Sequence, residues 1–472
     1  MTETPKQLTH DGPLLLCCAA LLCCLALGGG TTPIQMSDVI AEALCLPLLI
    51  AACWRLREQA SSLTFRLGLA VVALIAMLAL AQLVHLPPTL WTKLPGREPL
   101  AEAYRLAGTD LPWMGVSLAP VATRQSLLSL LPPLTVFVTA AQLDFKQRRQ
   151  ALMCLIVFAC LSVVVGLLQS VQGPASPLRF HHPGETEIVG FFANRNHLAA
   201  LLYVCVLIVG AWGLAALIEG KKSRSAARKE QPNLARFLLL GGLFAALATL
   251  LLGIVLAQSR AGFGFGIMAI FAAFAITLPG TTGSVARRPA VLMALAVILF
   301  GVLSVNYVLY DTLSRLQGGL ADNIRERVAA LTKPLVFDYF PVGTGFGSFV
   351  PVYEAHEQIA SSFYGRVNRA HNEFLEWGLE GGLAAYVLLA AGLAWLVLAN
   401  VTAWRRKDYP GLVDARLARG CAFAPILLLA HSYVDYPLRT IAVMGAVALC
   451  AGVSVEPLRR VGGGARTAPA AT

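Results

Sequence analysis

The sequence predicts an all-α polytopic membrane protein of about twelve transmembrane helices, and three observations predict it. The 472-residue chain is 57% hydrophobic and 13% charged, with a mean hydropathy of +0.68, where a soluble domain carries about 25% charged residues. Its apolar residues come in blocks of roughly 20, the helix length that crosses a hydrocarbon core. Lysines and arginines crowd into alternate short loops, the bias that places such loops in the cytoplasm. In lipid the backbone of each block can satisfy its hydrogen bonds only as a helix.

In chain order the blocks lie near 14–28, 38–54, 67–84, 126–143, 151–169, 197–218, 237–257, 262–278, 290–309, 377–400, 420–434 and 440–455. The first follows a weak basic region, Lys6 alone before Leu14, and runs into Gly28-Gly29-Gly30 instead of a cleavage site, so it reads as a retained helix. The second holds Glu42 and Pro47, and the block at 420–434 is short. This gives a cytoplasmic N-terminus over 1–13, nine helices over 14–309, a large periplasmic loop over 310–376, three helices over 377–455 and a cytoplasmic tail over 456–472. The inner loops then hold Arg55 to Arg66, Lys146 to Arg149, Lys221 to Arg236, Arg287-Arg288, Arg405 to Arg419 and Arg459 to Arg466. The long loops 85–125, 170–196 and 310–376 face outward, with the short connections at Ser259-Arg260 and Asp435-Tyr436. Chemistry held there faces away from ATP and nucleotide sugars, so a donor must arrive already activated and carried by the membrane.

The net charge of +11 follows from this loop bias, and no nucleic-acid motif accompanies it. The 11 cysteines all lie in or beside apolar blocks. They read as small buried hydrophobes, not as a disulfide framework or a zinc site.

Five polar segments interrupt the apolar pattern. Phe191–Ala199 places Arg195 between Asn194 and Asn196 and beside His197, at the start of a helix. Such a terminus favours anions, and capping by either asparagine explains the pattern equally. Arg260, in Gln258-Ser259-Arg260-Ala261-Gly262, stands at a helix junction, where a guanidinium either snorkels to the interface or binds phosphate oxygens. Arg325 and Arg327 fit a solvated amphipathic helix. Pro341–Phe349 is glycine-rich but lacks the Gly-Lys-Ser/Thr ending of a phosphate loop, so it reads as an irregular turn with N–H groups open to an anion. In Arg369–Leu383, His371 precedes a helix and can accept a proton near neutral pH. Asn372 and Glu376 share its first stripe, and Glu373 and Glu376 favour the helix dipole.

In this order the motifs Phe-x-Asn-Arg-Asn-His, Ser-Arg-Ala-Gly, Arg before Pro-x-Gly-x-Gly-x-Gly-Ser-Phe, Ala-His-Asn-Glu-x-Leu-Glu and Asp-Tyr-Pro-Leu-Arg resemble the O-antigen ligase and polymerase family, lipid A core O-antigen ligase-like membrane glycosyltransferases. The resemblance covers about 150–455. The loop 85–125, with Trp91–Arg97, resembles a subgroup linked to exopolysaccharide clusters. The family implies a glycosyltransferase-C-type (GT-C) fold in the bacterial inner membrane, with a periplasmic active site. It implies an undecaprenyl-diphosphate-linked oligosaccharide donor, a glycan or lipid A core acceptor, and transfer without metal, nucleotide or other cofactor. Carried over, His371 is the base, Arg260 and Arg325 hold the diphosphate, Arg327 is the fallback for Arg325, and Arg195 assists. Asn194, Asn196, His197, Asn372 and Glu376 support them. Inversion at the sugar carbon is implied, the bilayer and other polysaccharide-assembly proteins are the surroundings, and nucleic acid is not a partner. No two aspartates stand two apart as a metal signature would need; Glu185 and Glu187 come nearest.

Two alternatives belong to other classes. A twelve-helix secondary transporter, for an anion such as bicarbonate, shares the length and charge bias, but it calls for ionisable groups near the midplane, and Glu42 is the only clear acid within a span. A scaffold of an export complex would tolerate mutation of every polar knot. Within the enzyme class, ligation to lipid A core or polymerisation is favoured over protein O-oligosaccharyl transfer.

Overall fold

Side-chain caps in the sequence set the start of several helices in the computed structural model, which describes residues 5–32, 35–181, 187–226, 234–278, 320–357 and 367–460. Helix α1 spans Pro5–Leu27, α2 Met36–Leu56 and α3 Leu63–Leu83, where Ser62 Oγ accepts the Phe65 N–H at 3.3 Å. Short helices α4 (Pro88–Trp91) and α5 (Glu98–Leu106) fill the next loop. The span expected near 126–143 is divided into α6 (Pro120–Leu128) and α7 (Leu131–Ala141). Pro132 and Pro133 explain the division: they lack the N–H groups that a continuous helix would need and suit a first turn instead. Helix α8 (Phe145–Gln172) opens on a capping box between Asp144 and Gln147. Helices α9 (Arg195–Ala226), α10 (Leu234–Leu256) and α11 (Arg260–Thr277) follow. The expected span at 290–309 lies outside the described residues. The large loop contributes α12 (Leu320–Asp338) and α13 (Phe349–His356), and the chain ends with α14 (Glu373–Arg405), α15 (Leu412–His431) and α16 (Ile441–Ser454).

Among the described residues, eight helical stretches are long and apolar enough to cross a membrane, with α6 and α7 counted together; Asp11–Leu27 of α1 and the whole of α16 are shorter apolar stretches. Helix α9 is the central post. Its apolar window is 83% buried, under α8, α10, α11 and α15. Helix α7 anchors a second group with α1, α2 and α16. The windows of α2, α3, α10 and α14 are only 22% buried and carry exposed Ile50, Phe244 and Val387, as lipid-facing helices do.

Two faces separate at the helix ends. Gln59-Ala60 pairs antiparallel with Arg459-Arg460. Arg148 donates to the Val453 and Val455 carbonyls at 2.7 and 2.8 Å, and Arg149 lies 3.6 Å from Asp414. Among the described residues, the segments expected inside around 59, 148, 414 and 459 therefore gather on one face. The starts of α9, α11 and α14 and the end of α15 lie at the other.

Helices α12 and α13 have a small core of their own, with Val328, Leu335, Phe349 and Tyr353 packed on Leu379 of α14. Between them runs the glycine-rich turn, with φ of 81°, 98° and 78° at Gly343, Gly345 and Gly347. Helix α14 begins at Glu373, earlier than expected, because Asn372 Oδ1 caps the Phe374 and Leu375 N–H groups at 3.1 and 3.2 Å. It breaks at Gly382, where φ is 55°. There the Leu383 N–H turns to the Pro341 carbonyl at 2.9 Å, and the Leu379 carbonyl takes the Thr344 N–H at 2.9 Å in its place.

Candidate functional site

Each polar motif has a local reason and then a tertiary partner. In Ser-Arg-Ala-Gly, Ser259 Oγ caps α11 by accepting the Gly262 N–H at 3.0 Å. A Cβ on Gly262 would lie 2.3 Å from Ala199 Cβ, so glycine lets α11 close on the second turn of α9. Arg260 is thereby set, exposed, at the first position of α11 beside the start of α9. Asn194 caps α9, its Oδ1 accepting the Asn196 N–H at 2.8 Å. Asn196 donates its amide to Asp435. Arg195 is ion-paired with Glu187; Glu185 lies outside the described residues.

Asp435 is the hub. His371 Nδ1 donates to Asp435 Oδ1 at 3.2 Å. Arg325 Nη2 lies 3.6 Å from Oδ2 of the same carboxylate. The Tyr436 N–H donates to Oδ1 at 3.0 Å. Tyr436 stacks edge-on against His371 and His197, with ring centroids 5.0 and 4.9 Å apart, and its hydroxyl receives Asn194 Nδ2 at 3.4 Å. His197 is fully buried. His371 has a φ of 50°, a left-handed conformation that a non-glycine residue keeps only when its surroundings hold it. Burial alone would raise the Asp435 pKa, but the His371 hydrogen bond and the nearby His197 and Arg325 charges hold it below the ordinary carboxylate range. Burial, reinforced by the Asp435 charge, pushes the Tyr436 hydroxyl up to about 12.

Of the two loop arginines, Arg325 reaches the hub. Arg327 stands about 200° round α12, near Tyr353. Glu373 and Glu376 do more than favour the helix dipole. Glu376 Oε1 pairs with Arg369 at 2.8 Å and Arg439 at 3.5 Å, and its Oε2 accepts the Ala370 N–H at 3.1 Å. Glu373 accepts the Leu438 N–H at 2.7 Å, and Glu380 pairs with Arg439 at 3.0 Å. Three buried acids of α14 thus join Glu42, whose Oε1 takes the Gln125 amide at 2.8 Å, correcting the view of Glu42 as the only acid within a span. This ion cluster fixes the chain on both sides of His371.

The glycine-rich turn is packed, not open. The Gly343, Thr344, Gly345 and Phe346 N–H groups go to the Tyr339, Leu379 and Glu380 carbonyls and to Gln82 Oε1, at 2.8–3.0 Å. These donors are taken, which removes the expectation of an anion-binding nest there. Arg97, which is buried, donates to the Val116 and Gly343 carbonyls and lies over the Tyr339 ring, tying the loop of α4 and α5 to this turn. Burial lowers its pKa to about 10.

Beside the ion cluster a cavity of about 400 Å³ opens between α3, α7, α14 and α16. Val72, Ile75, Leu134 and Trp395 line its apolar part, and Arg369 and Arg439 its polar end. Among the described residues, no group of three or more His, Cys, Asp and Glu side chains is arranged to hold a metal ion.

The arrangement suits proton abstraction. A carboxylate on Nδ1 fixes the imidazole tautomer and leaves Nε2 to act as base. Sequence reasoning named His371, Arg325 and Asn196 but not Asp435, which binds all three. Its signal was the Asp-Tyr-Pro-Leu-Arg motif in a short connection between two apolar helices, which entered the resemblance without a role for its aspartate.

Residues 245–390 match the family model described as O-Antigen ligase. No curated protein matches the chain. The matched segment contains Arg260, Arg325, His371 and the glycine-rich turn, and it stops short of Asp435; Asn196 precedes it.

Proposed function

We propose, with that family match as the premise, that this multi-pass membrane protein transfers a glycan from a polyprenyl-diphosphate-linked donor to an acceptor hydroxyl, as a ligase or polymerase of surface polysaccharide in a bacterial inner membrane. The observation that carries the reading is the meeting of His371, Arg325 and Asn196 on one buried carboxylate beside the start of α11.

His371 Nε2 takes the proton of the acceptor hydroxyl, and the oxygen attacks the anomeric carbon. The bond to the diphosphate oxygen breaks, and the lipid diphosphate leaves with the electron pair. Back-side attack inverts the anomeric centre. Negative charge grows on the leaving group, where Arg260 and Arg325 stabilise it. Arg195 assists from the start of α9. The cavity between α3, α7, α14 and α16 supports a lipid-borne donor, because its apolar lining of Val72, Ile75, Leu134 and Trp395 matches an isoprenoid chain.

Purified protein in liposomes with a lipid-linked glycan and acceptor tests this. His371→Ala is expected to lower transfer by at least about a hundredfold while the protein remains folded. Arg260→Ala and Arg325→Ala are expected to raise the apparent KM for the lipid-linked donor. Wild-type turnover by His371→Ala would remove the imidazole from the mechanism. Solute movement without glycan transfer would favour the transporter.

A further inference from the structure

We infer that the face opposite His371 carries a binding site for an anionic phospholipid of the adjoining leaflet. A cavity of about 520 Å³ lies there among the ends of α8, α9, α10 and α15. Lys146, Arg149 and Gln150 line it from the first turns of α8, and Arg236 from the first turn of α10. Positions 146, 149, 150 and 153 form one helical stripe, so the three polar side chains and Met153 face the same space. Deeper in, Trp212, Leu239 and Val413 supply an apolar wall.

The charge balance favours an anion. Three cations line the cavity against one acid, Glu219. Glu219 Oε1 is already engaged by the Leu412 and Val413 N–H groups, at 2.5 and 3.2 Å, at the start of α15. Arg149 shares Asp414 at 3.6 Å with its side chain still 39% exposed. Arg236 is anchored by donating to the Ala216 carbonyl at 2.8 Å. The N-terminal end of α8 adds its positive dipole.

Position decides between a lipid and a soluble anion. The cavity sits at the ends of membrane-length helices, at headgroup depth, and α10 beside it faces lipid over most of its surface. Basic pockets between helices at that depth hold anionic headgroups, and the apolar wall takes the start of an acyl chain. The basic loops on this face put it in the cytoplasmic leaflet. The inference does not depend on the reaction proposed above.

The test is native mass spectrometry of the full-length protein in detergent, titrated with phosphatidylglycerol, phosphatidylcholine or inorganic phosphate. Wild type is expected to keep phosphatidylglycerol in preference to phosphatidylcholine, and millimolar phosphate is expected not to displace it. Lys146→Gln with Arg149→Gln is expected to weaken phosphatidylglycerol binding about thirty-fold, while Lys146→Arg with Arg149→Lys keeps it. Equal retention of the two lipids, displacement by phosphate, or undiminished binding by the Gln pair would each overturn the site. If the Gln pair does not fold, the wild-type competition decides alone.

Discussion

Asp435 holds a left-handed histidine, an arginine and an asparagine from three separate parts of the chain. Replacing it with asparagine keeps the shape but removes the charge and turns one of its two acceptor oxygens into a donor, so His371 and Asn196 can no longer both donate to it. Asp435→Asn is expected to lower kcat about a hundredfold or more with little change in the donor KM, read in the same liposome assay. The pH dependence follows from the depressed pKa. The stability this carboxylate contributes is complete above its unfolded value near 3.9 and is lost only as pH falls through the lower folded value. The part of the Asp435→Asn stability loss that comes from ionising this carboxylate should therefore fall away only as pH drops below about 4, as thermal unfolding of both proteins from pH 5 downward would show; a difference that stays undiminished well below pH 4 would contradict it. His371 was legible because an imidazole at the junction of a long loop and an apolar helix stands out. The role of Asp435 was not, although its motif carried part of the resemblance, because its partners lie 64 and 239 residues away in the chain.

Helix α14 shows where pattern reading stops. Its apolar run is plain from 377, but its first turns carry three glutamates that a membrane helix ordinarily excludes. They are admitted because Arg369 and Arg439 neutralise them, and nothing local to the helix announces Arg439, about sixty residues on. Breaking a buried pair leaves an uncompensated charge, at a cost of about 3–5 kcal/mol. Glu376→Gln is expected to lower the unfolding temperature in detergent, measured by fluorescence-detected gel filtration after heating; an unchanged midpoint would mean that the pair is not buried as described. Gly382 is the second case. A Cβ there would lie 2.1 Å from the Pro341 carbonyl oxygen, at a backbone angle that itself costs about 1–3 kcal/mol for other residues. Gly382→Ala should fold in much lower yield, whereas Gly392→Ala, with nothing within 4 Å of its Cβ, should not.

At the scale of the whole molecule, four of the segments grouped by their basic residues, around 59, 148, 414 and 459, are brought together in space. The pairing of Gln59-Ala60 with Arg459-Arg460 and the Arg148 contacts join segments that the charge bias had put on one side. A cysteine at Ala355 should react with an impermeant thiol reagent from outside intact inner-membrane vesicles of native orientation, and one at Lys407 only after permeabilisation, in a background where exposed Cys53 is serine. The reverse pattern would invert the topology and move His371 to the cytoplasm. The sequence could show sidedness because translocation acts on each loop separately. Helix neighbours depend on small residues such as Gly262, whose reason appears only beside Ala199.

The central post has a consequence for biosynthesis. Ribosomes deliver α9 early, yet α15, one of the helices that wrap it, is made about two hundred residues later. Until then Asn196 at its head has no carboxylate to meet. A nascent chain halted after 390 would display the entire matched segment and still lack Asp435, so assembly of the His371 cluster waits on α15 and the connection that follows it.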